Sequence, residues 1–298
     1  MKNIIKICAV LLCLSLALCI GIFAAEKTVY VLQGAESAGS GTEASPYNTF
    51  SAAMTALGGK GGTVVLLGAT ELGGTVVPEQ SANLTITASG SGKITLASDL
   101  KFEKNTNSNL ITVDCPITVT AGSAAIFGGF NSITFTNKCT VTGTLDFYGG
   151  ADSEVNDSAG WNYVVAANSD NQDIITEIAY SITVKGGTFR YFAGGNRRAD
   201  RKSIIGSIAA PIEITVDGGT FGTSVPFTAD SPIKNTQAFS ISGMSLLADD
   251  ATLVINGGNF NVPIYAQGYL GELCTNASGG SQITKSDKKY YVLDGDVS

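Results

Sequence analysis

The chain has 298 residues, of which 44% are hydrophobic and 14% charged, with 36 glycines and a formal net charge of −7. That hydrophobic share can fill a sizeable core and excludes a disordered chain. The acidic balance argues against nucleic-acid binding. The absence of histidine removes imidazole bases, histidine-containing triads and histidine metal sites.

Residues 1–25 read as a secretory signal peptide. Lys2 and Lys6 precede an uncharged apolar run from Ile7 to Phe23, which ends in the small residues Ala24 and Ala25. The run is short for a membrane span, and no second apolar stretch of useful length follows. The expectation is therefore an extracellular, secreted protein with no membrane span after signal removal. Loss of the two lysines would take the net charge from −7 to −9. Cys115, Cys139 and Cys274 remain, without metal-ligand spacing. Buried thiols and a Cys115–Cys139 pair both fit that set.

Residues 26–298 read as one all-β domain, rich in Thr, Val and Ile and punctuated by Gly and Asn. The phrase SITVKGGTF (Ser181 to Phe189) returns as EITVDGGTF (Glu213 to Phe221) and TLVINGGNF (Thr252 to Phe260). ITVTAGSAAIFGG (Ile117 to Gly129) aligns with ITVKGGTFRYFAG (Ile182 to Gly194), and TVTGTLDFYGG (Thr140 to Gly150) is a shorter relative. The marker glycines Gly122, Gly143, Gly187, Gly219 and Gly258 are thus 21, 44, 32 and 39 residues apart. A short minimum with variable additions is the behaviour of a solenoid whose turns carry loops.

Alternation then assigns faces. Ile182, Val184, Ile214, Val216, Leu253 and Ile255 point inward, and Thr183, Thr215 and Val254 point outward. The glycine pairs are corners. Phe189, Phe221 and Phe260 form an inward stack. Thr120, Thr142, Lys185, Asp217 and Asn256 make an exposed corner column, with Lys185 near enough to Asp217 for an ion pair.

The opening of the domain carries a resemblance. VYVLQGAESAGSGTEASPYNTFSAAMTAL, followed by GGKGGTVVLLGAT (Val29 to Thr70), resembles the start of right-handed parallel β-helix proteins of the pectate-lyase-like superfamily. The GGTF phrases are similar to secreted bacterial β-helix repeats. The resemblance implies a right-handed parallel β-helix of roughly eight turns. It implies an N-terminal cap over residues 26–62, comprising a strand at Val29 to Leu32 and a short capping helix at about Ser51 to Leu57. Residues 286–298, with the strand Tyr290 to Asp294, would close the last turn.

This fold hosts lyases, hydrolases, esterases and adhesins. Of the segments expected from β-helix hydrolases, only Asp249-Asp250 is present, and a turn before the Thr252 strand accounts for that pair. Calcium would need a carboxylate cluster that no repeat position supplies, so no cofactor or metal is assigned. The best candidate site lies on two loops. An acidic loop (Ala151 to Asp173) carries Trp161 and Tyr163, and a basic loop (Asn196 to Ile205) carries Arg197, Arg198, Arg201 and Lys202. Together with Arg190 they would form either a set of inter-loop ion pairs or a groove for an acidic glycan. The reading is a non-catalytic protein that binds polysaccharide or the bacterial cell surface. The alternatives are a carbohydrate-active enzyme, most plausibly a lyase working through Arg or Lys, and a purely structural scaffold.

Overall fold

The structure is a computed structural model. It describes residues 26–150, 174–197, 207–208, 210–222, 239–243, 246–247, 250–262, 264–265, 282–285 and 288–291. It is all-β apart from one helix, and its sheets are parallel except for a terminal hairpin.

An eight-stranded sheet takes its strands in sequence order: Thr28–Val31, Gly62–Leu66, Leu84–Ala88, Leu110–Asp114, Ser132–Phe135, Tyr180–Val184, Ile212–Val216 and Ala251–Ile255. From Gly62–Leu66 onward, the chain leaves each of these strands for a second sheet and returns one position further along the first. In the later passes, short strands at Thr188–Phe189, Thr220–Phe221 and Asn259–Phe260 form a third sheet between the two. The shortest passes are 22 residues, from Val64 to Ile86 and from Val113 to Phe135.

Register turns sequence alternation into columns. Val29, Val64, Ile86, Val113, Phe135, Val184 and Val216 are successive register partners, and all are buried. Their partner Ile255 occupies the last strand of the sheet and is 46% exposed. Leu253 is half-buried on the same strand. The inward assignment therefore holds for Ile182, Val184, Ile214 and Val216, and weakens where the sheet runs out of partners.

Aromatic side chains fill the space between the sheets. Phe189, Phe221 and Phe260 stack in register, with centroids 5.9 and 4.7 Å apart. A second column, Phe147, Phe192 and Phe239, stands against them, and Phe192 and Phe239 meet edge-on with Phe221 at 5.3 and 5.1 Å. Edge-to-face packing of this kind adds about 0.5–1.5 kcal/mol per pair beyond burial.

The second glycine of each GG phrase makes the corner. Gly187, Gly219 and Gly258 have φ of 101, 91 and 95°, a region unfavourable for other residues. A different glycine column is set by contact and not by φ. At Gly149 and Gly194 an added Cβ would lie 2.1 Å from Gly194 O and 2.0 Å from Ile241 O. The Tyr180 hydroxyl donates to Gly194 O at 2.8 Å and fixes that backbone.

The helix spans Phe50–Leu57, and the Thr49 hydroxyl caps it by accepting from the Ala52 amide at 3.1 Å. Gly58 ends it in the left-handed conformation, φ 64°. Phe50, Ala53, Met54 and Leu57 bury its inner face in the core beside the first strand. Cys115 and Cys139 are buried free thiols. Burial pushes Cys115 up to about 12, against a hydrogen bond from the Ile94 backbone. Burial, and then the neighbouring Cys115, raise Cys139 as well.

Two expectations are corrected. Ile117 and Thr142 belong to the second sheet, where Val141 pairs with Ile117 and Thr142 with Thr118. The partner of Ile182 in the preceding pass is Ile133, because SITF and ITVT share the same alternation and only register separates them. Lys185 forms no ion pair with Asp217 among the described residues; Asp217 accepts from Asn256 Nδ2 at 2.9 Å. Lys288–Tyr291 pairs antiparallel with Gln282–Lys285, in a two-stranded sheet apart from the parallel ones.

Backbone contact and backbone conformation make separable predictions. Gly194→Ala should cost about 3 kcal/mol, because the added methyl meets a carbonyl that cannot move. Gly90→Ala should cost about 1 kcal/mol, since its φ is 61° but nothing lies within 4 Å of the new methyl. Urea unfolding of the two variants measures both.

Candidate functional site

The strand Val141–Tyr148 alternates sharply. Leu145 and Phe147 point into the core, while Asp146 and Tyr148 point outward. On the next strand, Tyr191 follows Asp146 in register, and on the strand before, Phe127 precedes Tyr148. The outward aromatics therefore stack: Phe127 on Tyr148 at 5.3 Å and 13°, and Tyr148 on Tyr191 at 5.1 Å and 27°. All three are buried despite facing away from the core.

Cations rim this stack. The Arg197 guanidinium lies 5.6 Å from the Phe127 ring and 5.9 Å from the Tyr148 ring, and Lys101 Nζ lies 5.9 Å from Phe127. Arg190 forms a two-pronged contact with Asp146, Nε to Oδ1 at 2.9 Å and Nη2 to Oδ2 at 2.5 Å. The Tyr191 amide also donates to Asp146 Oδ1, at 3.2 Å. Arg197 Nη1 is 3.6 Å from Asp99 Oδ2, while Asp99 Oδ1 accepts from the Ala125 amide at 2.7 Å. The side chains of Arg190 and Arg197 are 26% and 28% exposed.

Two of the expected site residues, Arg190 and Arg197, thus meet at one place. Trp161, Tyr163, Arg198, Arg201 and Lys202 lie outside the described residues. Lys101, Asp99, Asp146, Phe127, Tyr148 and Tyr191 were not expected there. The signal for the last four was present in the repeated F-Y/F-A-G-G corners, whose outward positions become visible once register is known.

The chemistry open to this arrangement is recognition of an anion by guanidinium. Both carboxylates are engaged with arginine and backbone amides, which leaves neither placed as a general base. Burial lowers the pKa of Lys104, with the Glu177 charge working against it. Among the described residues, no group of three or more Cys, Asp or Glu could hold a metal ion, and no helix is long and apolar enough to cross a membrane.

A separate polar cluster ties the first sheet together. Asp114 accepts from Thr136 Oγ1 at 2.7 Å, Thr87 Oγ1 at 2.8 Å and Lys138 Nζ at 2.7 Å. Desolvation pulls its pKa up, but the bonds from Lys138, Thr136 and Thr87 prevail and hold it below the ordinary value of 3.8. A depressed carboxyl contributes stability above its unfolded pKa and loses it as pH falls through the folded value. Wild type should therefore be more stable than Asp114→Asn by about 1 kcal/mol near neutral pH, and the gap should close as the pH falls through the depressed pKa of the folded carboxyl. Thermal unfolding of both proteins across pH checks this.

Compared with protein-family models, with curated proteins and with solved structures, the chain finds no match.

Proposed function

We propose that the protein is an exported, non-catalytic right-handed parallel β-helix that binds an acidic glycan or the bacterial cell surface. The order of the first sheet supports the helix reading, because its eight strands are visited in sequence and, from Gly62–Leu66 onward, a second-sheet strand falls between successive visits. Crossovers between parallel strands are overwhelmingly right-handed, which supports the hand. The charged and apolar pattern of residues 1–25 supports export.

One observation carries the binding reading. Arg197 lies over a buried aromatic stack with its side chain 28% exposed, and it pairs with Asp99 at 3.6 Å, an ion pair that an incoming anion would share or replace. A uronate carboxylate or a sulfate could take that guanidinium through two parallel bonds. With Asp99 and Asp146 both committed and no histidine in the chain, binding is favoured over turnover.

The test is biolayer interferometry on immobilised polygalacturonate and heparin, with a neutral β-glucan as control. Wild type should bind an acidic polymer, more weakly as salt rises. Arg197→Ala should lose about tenfold in affinity, the worth of one charge-assisted contact. Release of unsaturated or reducing ends would replace this reading with a lyase or hydrolase. Absence of binding to every acidic polymer would remove it.

A further inference from the structure

The outward face of the first sheet carries one column of a single residue type. Thr28, Thr63, Thr85, Thr112, Thr134, Thr183 and Thr215 are successive register partners, and the column ends at Val254. The pairing runs through all eight strands of this sheet without a bulge, whereas the second sheet shifts register between Thr142 and Thr144. The threonines therefore repeat at about 4.8 Å, and Thr63 to Thr215 spans about 24 Å.

What sets this column apart is how its hydroxyls are used. Those of Thr63, Thr85, Thr112, Thr134 and Thr183 have no protein partner among the described residues, and Thr215 makes one long contact with Glu213 at 3.4 Å. The flanking columns are committed internally. Thr87 and Thr136 donate to Asp114, Asn83 accepts from the Leu110 amide, and Ser132 accepts from the Ser181 amide. The centre of the face is thus a file of available hydroxyls and methyls between two braced polar columns.

We infer that this threonine ladder is an ice-binding face, its ligand being the ordered water lattice at an ice surface. Rows of oxygen atoms in ice repeat at nearly the strand spacing, so a ladder stepping once per strand can meet the lattice at every step. Threonine is restricted at χ1, so each hydroxyl and methyl is held in place at little further entropic cost. A polysaccharide fits less well. The column has no aromatic platform and no charge, and a β-linked chain that alternates its faces would present equivalent hydroxyls only at every second sugar. From Gly62–Leu66 onward the links that leave the first sheet are two to five residues long, which keeps that edge of the face clear over those strands. Charges flank the column at Asp114, paired with Lys138, and at Lys185, Glu213 and Asp217, so the uncharged element is the ladder itself and not its borders.

The inference is independent of the glycan reading, and its experiment separates the two. Thermal hysteresis and ice recrystallisation would be measured on the full chain, with serum albumin at equal mass as the control. Wild type should give hysteresis that rises with concentration. Thr112→Lys and Thr85→Lys should each reduce it several-fold with circular dichroism and urea midpoints retained, and Arg197→Ala should leave it unchanged. Wild-type hysteresis no greater than that of albumin would overturn the assignment. So would retention of hysteresis in whichever threonine variant folds, or loss of polysaccharide binding in Thr112→Lys without hysteresis in wild type.

Discussion

In-register parallel stacking is the constraint on which the rest of this structure depends. Each strand of the first sheet hydrogen-bonds to its neighbours so that equivalent residues sit directly over one another, about 4.8 Å apart. A position must therefore suit its own kind above and below. Apolar β-branched residues meet that demand in Val64, Ile86 and Val113, and flat rings meet it in Phe189, Phe221 and Phe260. Where backbones come closest, only glycine fits, as at Gly149 and Gly194. A charge repeated in such a column would repel itself, and the described outward columns instead place Thr87 and Thr136 on either side of Asp114.

The same constraint decides where the chain can accept insertions. From Gly62–Leu66 onward the links that leave the first sheet are two to five residues long, whereas residues 151–173 and 198–206 follow strands of the second sheet and 223–238 follow a strand of the third. Lengthening a connection at a corner costs little in closure entropy, while an added residue within a column would turn every following side chain to the other face. The two outward faces differ: one is a regular polar ladder, and the other carries an aromatic stack with a cationic rim.

Much of this architecture was legible in the sequence because its signals are local. Alternation located the inward Ile182 and Val184, the GG phrases located the positive-φ corners, and the resemblance carried by Val29 to Thr70 placed the short helix, whose Thr49 cap the structure adds. Register was not legible. ITV at Ile117 and ITV at Ile182 look alike as words, yet they occupy different sheets, since alternation reports a face and not a partner. The candidate site suffered for the same reason. Arg190 and Arg197 stood out as charges, but Asp146 and Tyr148 acquire meaning only when Phe127 and Tyr191 are known to flank them.

Asp146 shows how that site is held. A carboxylate 7% exposed on an outward column would be costly if it were isolated, and its partners remove the cost in a specific way. Arg190 meets both oxygens, and the Tyr191 amide meets one of them. Three bonds thus lock a guanidinium and an aromatic residue of one strand to the strand before it. That fixes Tyr191 against Tyr148, and through Tyr148 it fixes Phe127, the two rings over which Arg197 lies. The two arginines are therefore not equivalent. Arg190 is spent on positioning the stack, and its charge is already matched at hydrogen-bond distance. Arg197 rests on the product of that positioning and faces Asp99 across 3.6 Å. An anion that drew Arg197 from Asp99 would leave the bonds holding the platform intact, which is why the binding proposal is placed on Arg197 and not on Arg190.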